Sequence, residues 1–201
     1  MKAIPKSDKR INRNQASLFK KRHYVRIIEN TAAICTRLFG YKRKPDIFES
    51  QNREGEVMYI CRGRGDRYGI FYDYLQFRRR FADCDFETLE ALAAFFMAHE
   101  MRHYYQMRQI DSKKPRESAK TMEKWRQNDD DPKYPPDDCT VLEFYLQPME
   151  IDAELFAYIF VSSYFDCLVD LSFIDDGYIR ELEKYHIELF GESDEVLFPN
   201  E

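Results

Sequence analysis

The run A-L-A-A-F-F-M-A at residues 91–98 is apolar on every face of a helix. Asp85 precedes it as a candidate N-cap, and the helical pattern continues to about Arg108. A helix with no polar side must be covered by other layers of the protein on more than one side. The chain is therefore predicted to build its core around this helix.

The buried helix leads into H-E-M-R-H, which holds two of the chain's four histidines. His99 and His103 lie one helical turn apart, so both imidazoles can reach one ion. Glu100 falls beside them, near enough to take a proton from water on the metal but out of line to ligate. Two imidazole ligands and an adjacent carboxylate are what zinc-dependent hydrolysis requires. The alternative is an ordinary helix whose buried histidines need other partners.

A catalytic zinc takes a third protein ligand, and a second apolar helix offers two candidates. This helix is predicted from Pro148 to about Leu168, with proline in its first turn. Glu150 and Glu154 lie one turn apart on one face, whereas Asp152 points elsewhere. Either glutamate could complete the site.

The two motifs, H-E-M-R-H at 99–103 and E-I-D-A-E-L-F-A at 150–157, together resemble a known pattern. It is the H-E-x-x-H … E-x-x-A-x-x-F-A pattern of the ImmA/IrrE-type metallopeptidases, which are gluzincins. The resemblance implies three zinc ligands and one general base: His99, His103 and Glu150, with Glu100 as the base. Related gluzincins often have Asp or Asn at the place of Glu154, where it supports a zinc-bound histidine. Because this chain has glutamate there, the choice between Glu150 and Glu154 as third ligand stays open.

The resemblance also implies a fold and an activity. We expect one zincin-like α+β domain at residues 15–201, mostly helical with a small twisted β-sheet and the buried HExxH helix, after a polar arm at residues 1–14. With one Zn²⁺ per chain, it would be a metallopeptidase that hydrolyses a peptide or protein substrate through a metal-bound water. Two residues are candidates to stabilise the oxyanion, Tyr145 and His186.

A ferritin-like diiron carboxylate protein is the first alternative. E-M-R-H at 100–103 and E-K-Y-H at 183–186 both have the E-x-x-H spacing by which four-helix bundles hold two irons. Glu29 and Glu150 could supply the lone glutamates. His99 has no role in such a site, and predicted strands interrupt the bundle. That protein would be an oxidoreductase or an iron binder.

Charge is unevenly spread and suggests the second alternative, a zincin scaffold used for regulation or binding. Residues 1–44 carry thirteen Lys or Arg against two acidic residues, a net +11 that leaves −16 for the rest of a chain of net charge −5. Such a basic arm could dock on nucleic acid or another acidic partner, although no recognised nucleic-acid motif accompanies it.

The remaining elements are read from local patterns. An amphipathic helix is predicted at Gln15–Phe39 and a last helix at Asp175–Leu189. The segments Glu56–Arg62 and Tyr68–Phe77 predict a hairpin, with a third strand near Asp46–Glu49. In zincins an edge strand commonly pairs with extended substrate, and Tyr68–Phe77 is expected to be that strand.

Residues 111–140 contain almost no core residues and predict a long polar loop between the two ligand helices. Only Met122 and Trp125 suggest a docked turn. From its position the loop could cover or admit the substrate.

The five cysteines are odd in number and isolated, and no C-x-x-C pair occurs. No apolar run approaches the roughly twenty residues that a bilayer requires, and the N-terminus has no apolar signal-peptide core. We therefore expect reduced thiols in a cytoplasmic protein without a membrane partner.

Overall fold

The structure, a computed structural model, describes residues 18–50, 57–63, 67–135, 137–165 and 176–190. These residues form three strands, β1 (Asp46–Glu49), β2 (Met58–Arg62) and β3 (Tyr68–Tyr72). They also form seven helices: α1 (Lys21–Leu38), α2 (Tyr74–Arg80), α3 (Phe86–Ile110), α4 (Ala119–Asp130), α5 (Val141–Tyr145), α6 (Pro148–Phe165) and α7 (Asp176–Phe190). The predicted α+β class, mostly helical with a small sheet, is confirmed.

The chain forms two compact units, Met1–Met101 and Arg102–Glu201, and the division falls within α3. The first unit holds α1, the sheet, α2 and most of α3. The second holds the end of α3 and the helices α4 to α7. The arm predicted at residues 1–14 lies outside the described residues, and the single domain expected at 15–201 stays a prediction.

Helix α3 is buried as its sequence predicts. The Asp85 carboxylate accepts a hydrogen bond of 2.8 Å from the Thr88 N–H, which caps the start of the helix. Every residue of the apolar run 91–98 is buried except Phe96, which is half-buried.

Helix α1 begins at Lys21, and its predicted start at Gln15 lies outside the described residues. The preceding residue, Lys20, is extended (φ −93°, ψ 158°), and Phe19 before it is buried with its ring 5.5 Å from that of Phe86. This aromatic contact uses Phe19 as a core residue ahead of the helix. Gly40, with φ 68°, follows the helix in the left-handed region that glycine tolerates.

The sheet has the strand order β1-β3-β2. Strands β2 and β3 pair antiparallel as the predicted hairpin, and β1 pairs parallel with β3 as the predicted third strand. The central strand is therefore β3, with a hydrogen-bonded neighbour on each side. The expectation that Tyr68–Phe77 is an edge strand open to substrate is wrong.

The same strand also ends earlier than predicted, at Tyr72, because Asp73 begins helix α2. Its carboxylate accepts hydrogen bonds from the N–H groups of Leu75 (2.8 Å) and Gln76 (2.9 Å). Phe77 is buried on the inner face of this short helix. Tyr74 and Phe77, whose sequence pattern resembles a strand, therefore belong to a helix that Asp73 caps.

Three aromatic rings stand in register across the sheet, one from each strand. The Phe71 ring is stacked on Phe48 (centroids 5.3 Å apart) and on Tyr59 (5.1 Å). Gly69 makes room for them, since a Cβ there would lie 3.1 Å from the Phe71 ring and 3.2 Å from the Phe48 ring. This aromatic ladder ties both outer strands to β3 through side chains.

The prediction of a loop at residues 111–140 is wrong over Ala119–Asp130, which forms α4. The Ser118 hydroxyl caps it by accepting from the Thr121 N–H at 3.1 Å. Met122 and Trp125, each 1% exposed, bury one face of the helix. The other faces are polar, so the segment has too few apolar residues for its helical period to be recognised.

Helix α6 begins at Pro148, as predicted, and packs against α4, α5 and α7. Its predicted end near Leu168 lies outside the described residues. Helix α7 agrees with the prediction to within one residue at each end. No helix in the described ranges has both the length and the apolar composition of a membrane span. The described cysteines, Cys35, Cys61, Cys84 and Cys139, are free thiols.

Candidate metal centre

One ligand atom each from His99, His103 and Glu150 lies within 4.8 Å of the other two. The histidines are one turn apart on the continuous helix α3, and the glutamate is the third residue of α6. An ion placed among these atoms would be close to bonding distance of all three. The structure thus brings together the three ligands that the resemblance implies.

Within this group, His103 and Glu150 face each other directly. The His103 Nε2 lies 3.4 Å from the Glu150 Oε1, with both side chains largely buried. Two ligands bound to a tetrahedral zinc at about 2.0–2.1 Å lie about 3.3 Å apart. The observed separation therefore fits two ligands facing one ion.

The hydrogen bonds of Gln106 determine which nitrogen of His103 carries the proton. The Gln106 amide nitrogen donates to the Met149 carbonyl (3.0 Å) and to the Asp152 carboxylate (2.7 Å), and neither of these can donate in return. The Gln106 oxygen must then face His103, whose Nδ1 lies 2.8 Å away. The Nδ1 of His103 therefore donates to the Gln106 oxygen, and Nε2 faces Glu150.

Glu100, the predicted general base, is 7% exposed and adjoins His99 on α3. Glu154 is also buried, at 5% exposure, one turn after Glu150 on α6. The group that forms around the two histidines contains Glu150 and does not contain Glu154. Of the two glutamates on α6, only Glu150 is thus among the three convergent side chains.

The two oxyanion candidates, Tyr145 and His186, lie on different helices. Tyr145 is the last residue of α5, and its ring centroid lies 5.5 Å from that of Tyr178 on α7. His186 belongs to α7, but its side chain lies outside what the structure describes.

Tyr178 is a further site residue that the sequence did not reveal. It is fully buried, and its hydroxyl makes no hydrogen bond within the described part of the chain. Burial, and then the nearby charges of Glu154 and Glu150, raise the pKa of Tyr178 above its usual value. The group therefore keeps its proton and is a neutral donor within electrostatic reach of both carboxylates. Only the packing of α7 could have shown this.

Asp152, which seemed to point away from the site, is tied to α3 by a buried ion pair. Its carboxylate accepts from Arg102 Nε at 2.8 Å and Nη2 at 3.0 Å. Burial by itself would lower the pKa of Arg102, but the charge and hydrogen bonds of Asp152 outweigh it and raise the pKa. Three rings surround the guanidinium: Tyr105 at 4.8 Å, Trp125 at 5.5 Å and Phe156 at 5.5 Å.

One carboxylate that the diiron alternative requires is engaged elsewhere. Glu29 forms an ion pair with Lys44, and both side chains are partly exposed. A surface pair of this kind is unlike the buried carboxylates that bridge two irons. His99, which lies in the three-ligand group, is unexplained by that alternative.

No model of a known protein family matches the chain, and neither does any curated protein or solved structure. The candidate site therefore has to be interpreted from its own residues.

Proposed function

We propose that this protein is a zinc-dependent metallopeptidase of zincin-like fold. One observation carries the proposal: ligand atoms of His99, His103 and Glu150 converge within 4.8 Å, beside the buried Glu100. Two imidazoles and one carboxylate are the donor set of many hydrolytic zinc sites. A structural zinc site, by contrast, is closed by four protein ligands, mostly cysteines. Among the residues that the structure describes, the convergent group contains no cysteine.

Each residue of the centre has a distinct task. His99, His103 and Glu150 hold the metal, which when bound supplies Lewis acidity that activates water and polarises a peptide carbonyl. Glu100 accepts the proton of the attacking water on its carboxylate and delivers it to the leaving amine. Tyr178 joins Tyr145 and His186 as a candidate donor to the oxyanion.

Metal analysis tests the first half of the proposal. Protein purified without added metal is first analysed for its metal content, and about two irons per chain would support the diiron alternative. The same protein, titrated with zinc against a chelator, is expected to bind about one zinc per chain. Failure of the chain to bind zinc would overturn the metal site.

A cleavage screen tests the second half. The zinc-loaded protein is incubated with a mixture of peptides, with Glu100→Gln as the matched control. We expect the variant to keep its zinc and to lose at least about 100-fold in cleavage rate, the usual contribution of a general base. If both proteins bind zinc and the wild type cleaves no faster than Glu100→Gln, the peptidase proposal is overturned. A zincin scaffold used for binding is then the better interpretation.

A further inference from the structure

We propose that Gln106 is the positioning residue that makes His103 a zinc ligand, acting through the orientation of its side-chain amide. The inference rests on the proposed metal site and concerns how the chain prepares one of its ligands. Gln106 acts on that ligand through its hydrogen bond with the Nδ1 of His103.

The Gln106 amide has one arrangement that satisfies its neighbours. Both hydrogens of its nitrogen are used, one on the Met149 carbonyl and one on the Asp152 carboxylate. If the amide turned over, its oxygen would face these two acceptors, and its nitrogen would face His103 Nδ1. Gln106 is fully buried, so no water would replace the lost hydrogen bonds. The amide is thereby locked with its oxygen towards His103.

Asp152 is in turn held by Arg102. Three successive contacts, from Arg102 to Asp152, from Asp152 to Gln106 and from Gln106 to His103, therefore orient the imidazole. The carboxylate is gripped by two nitrogens of the guanidinium, which leaves its Oδ2 fixed opposite the Gln106 amide. The charge of Asp152 is balanced by Arg102, and the group that contacts His103 Nδ1 is a neutral amide. The chain can therefore orient the imidazole without adding a second anion beside Glu150.

The consequence for His103 is a fixed tautomer. An imidazole in water shifts its proton between two nitrogens, whereas a ligand must present an unprotonated nitrogen to the metal. Because Gln106 accepts from Nδ1, the protein selects the form whose Nε2 faces Glu150 before any metal binds. Groups that orient a histidine ligand in this way are typically worth about 10- to 100-fold in metal affinity.

The test compares two buried glutamines on the same helix. Gln106→Met removes the proposed acceptor, and Gln109→Met is the matched control, since Gln109 is 3% exposed and accepts from the Arg116 N–H at 2.7 Å. We expect the zinc dissociation constant to rise about 10- to 100-fold for Gln106→Met and to change less than about 3-fold for Gln109→Met. Both substitutions should destabilise the zinc-free protein in urea. The cobalt-substituted protein should show altered d–d absorption for Gln106→Met alone.

A second variant separates positioning from simple packing. Gln106→Glu keeps an acceptor for His103 Nδ1 but replaces the amide donor 2.7 Å from the Asp152 carboxylate by an oxygen. We expect Gln106→Glu to be less stable than Gln106→Met without metal and yet to bind zinc more tightly. A structural role alone would rank the two variants in the same order in both measurements.

The wild-type protein supplies a readout that needs no variant to fold. In the zinc-free protein, the ¹⁵N shift of His103 Nδ1 should be that of a protonated nitrogen that donates a hydrogen bond. An unprotonated Nδ1, or equal zinc affinities for Gln106→Met and Gln109→Met, would overturn the inference. Wild-type protein that binds no zinc would instead overturn the proposed function, so the two failures are distinct.

Discussion

The side-chain oxygen of Asn128 accepts a hydrogen bond of 3.0 Å from the backbone N–H of Met149. Met149 is the second residue of α6 and directly precedes Glu150, so this N–H has no partner within its own helix. The Asn128 nitrogen donates in turn to Gln147 at 2.8 Å. Helix α4 thereby fixes the start of the helix that carries Glu150, the proposed third ligand.

Asn128→Ala should consequently weaken metal binding as well as stability. Loss of a helix-capping acceptor costs about 1 kcal/mol, within a range of about 0.5–2 kcal/mol. We expect a lower free energy of unfolding in urea and a higher zinc dissociation constant. Gln127→Ala, at the exposed neighbouring position, is the control and should leave both values nearly unchanged. Equal effects of the two substitutions would show that the Asn128 side chain does not position the start of α6.

Replacing residues 119–130 by a glycine-serine linker distinguishes two roles of α4, which could either position the start of α6 or cover the substrate as a lid. A lid acts on substrate, so its removal would change KM and leave zinc affinity intact. Trp125, which lies 5.5 Å from the Arg102 guanidinium, and Asn128 both belong to the replaced segment. We therefore expect zinc affinity to fall, measured by chelator competition. Unchanged zinc affinity with altered KM would restore the lid interpretation.

Two glutamates of α6 are expected to respond differently to the same conservative change. Glu150→Gln removes a charged ligand facing His103 and should raise the zinc dissociation constant at least about 100-fold. Glu154→Gln, one turn further along, should change it less than about 10-fold because Glu154 is not among the three convergent side chains. Full zinc occupancy in Glu150→Gln under the same chelator would remove Glu150 from the ligand set.

The ion pair between Arg102 and Asp152 should be costly to break from one side. Arg102→Met leaves the Asp152 carboxylate, 8% exposed as a side chain, without its compensating charge. Removing one partner of such a pair typically costs about 3–5 kcal/mol. The double variant Arg102→Met/Asp152→Leu should be more stable to urea than Arg102→Met alone, because no buried charge remains. A double variant that is less stable would show that the pair stabilises beyond charge compensation.

How far the sequence predicts this protein depends on the separation of the residues involved. The apolar run 91–98 and the spacing of His99 and His103 are local, so one helix period reveals both the burial of α3 and the first two proposed ligands. The cap at Asp73 is local as well, but the aromatic residues around it resemble a strand. An Asp ahead of Leu75 and Gln76 was the signal that could have marked a helix start.

The contacts that complete the site are of another kind. Gln106 and Asp152 are 46 residues apart, and no period links them. Arg102 occupies a variable position of the motif, and its role follows only from the rings and the carboxylate that surround it. Helix α4 is recognisable only once Met122 and Trp125 are seen to be buried. Pairing between distant residues is decided by packing, which a single sequence does not display.

The strand order β1-β3-β2 has a consequence for how the sheet can arise on a growing chain. Both outer strands precede β3 in sequence, and each is hydrogen-bonded to β3 and not to the other. During vectorial synthesis β1 and β2 therefore leave the ribosome with no strand to pair with. The sheet can be completed only after its last strand emerges, and only then can the ring of Phe71 stack on Phe48 and Tyr59.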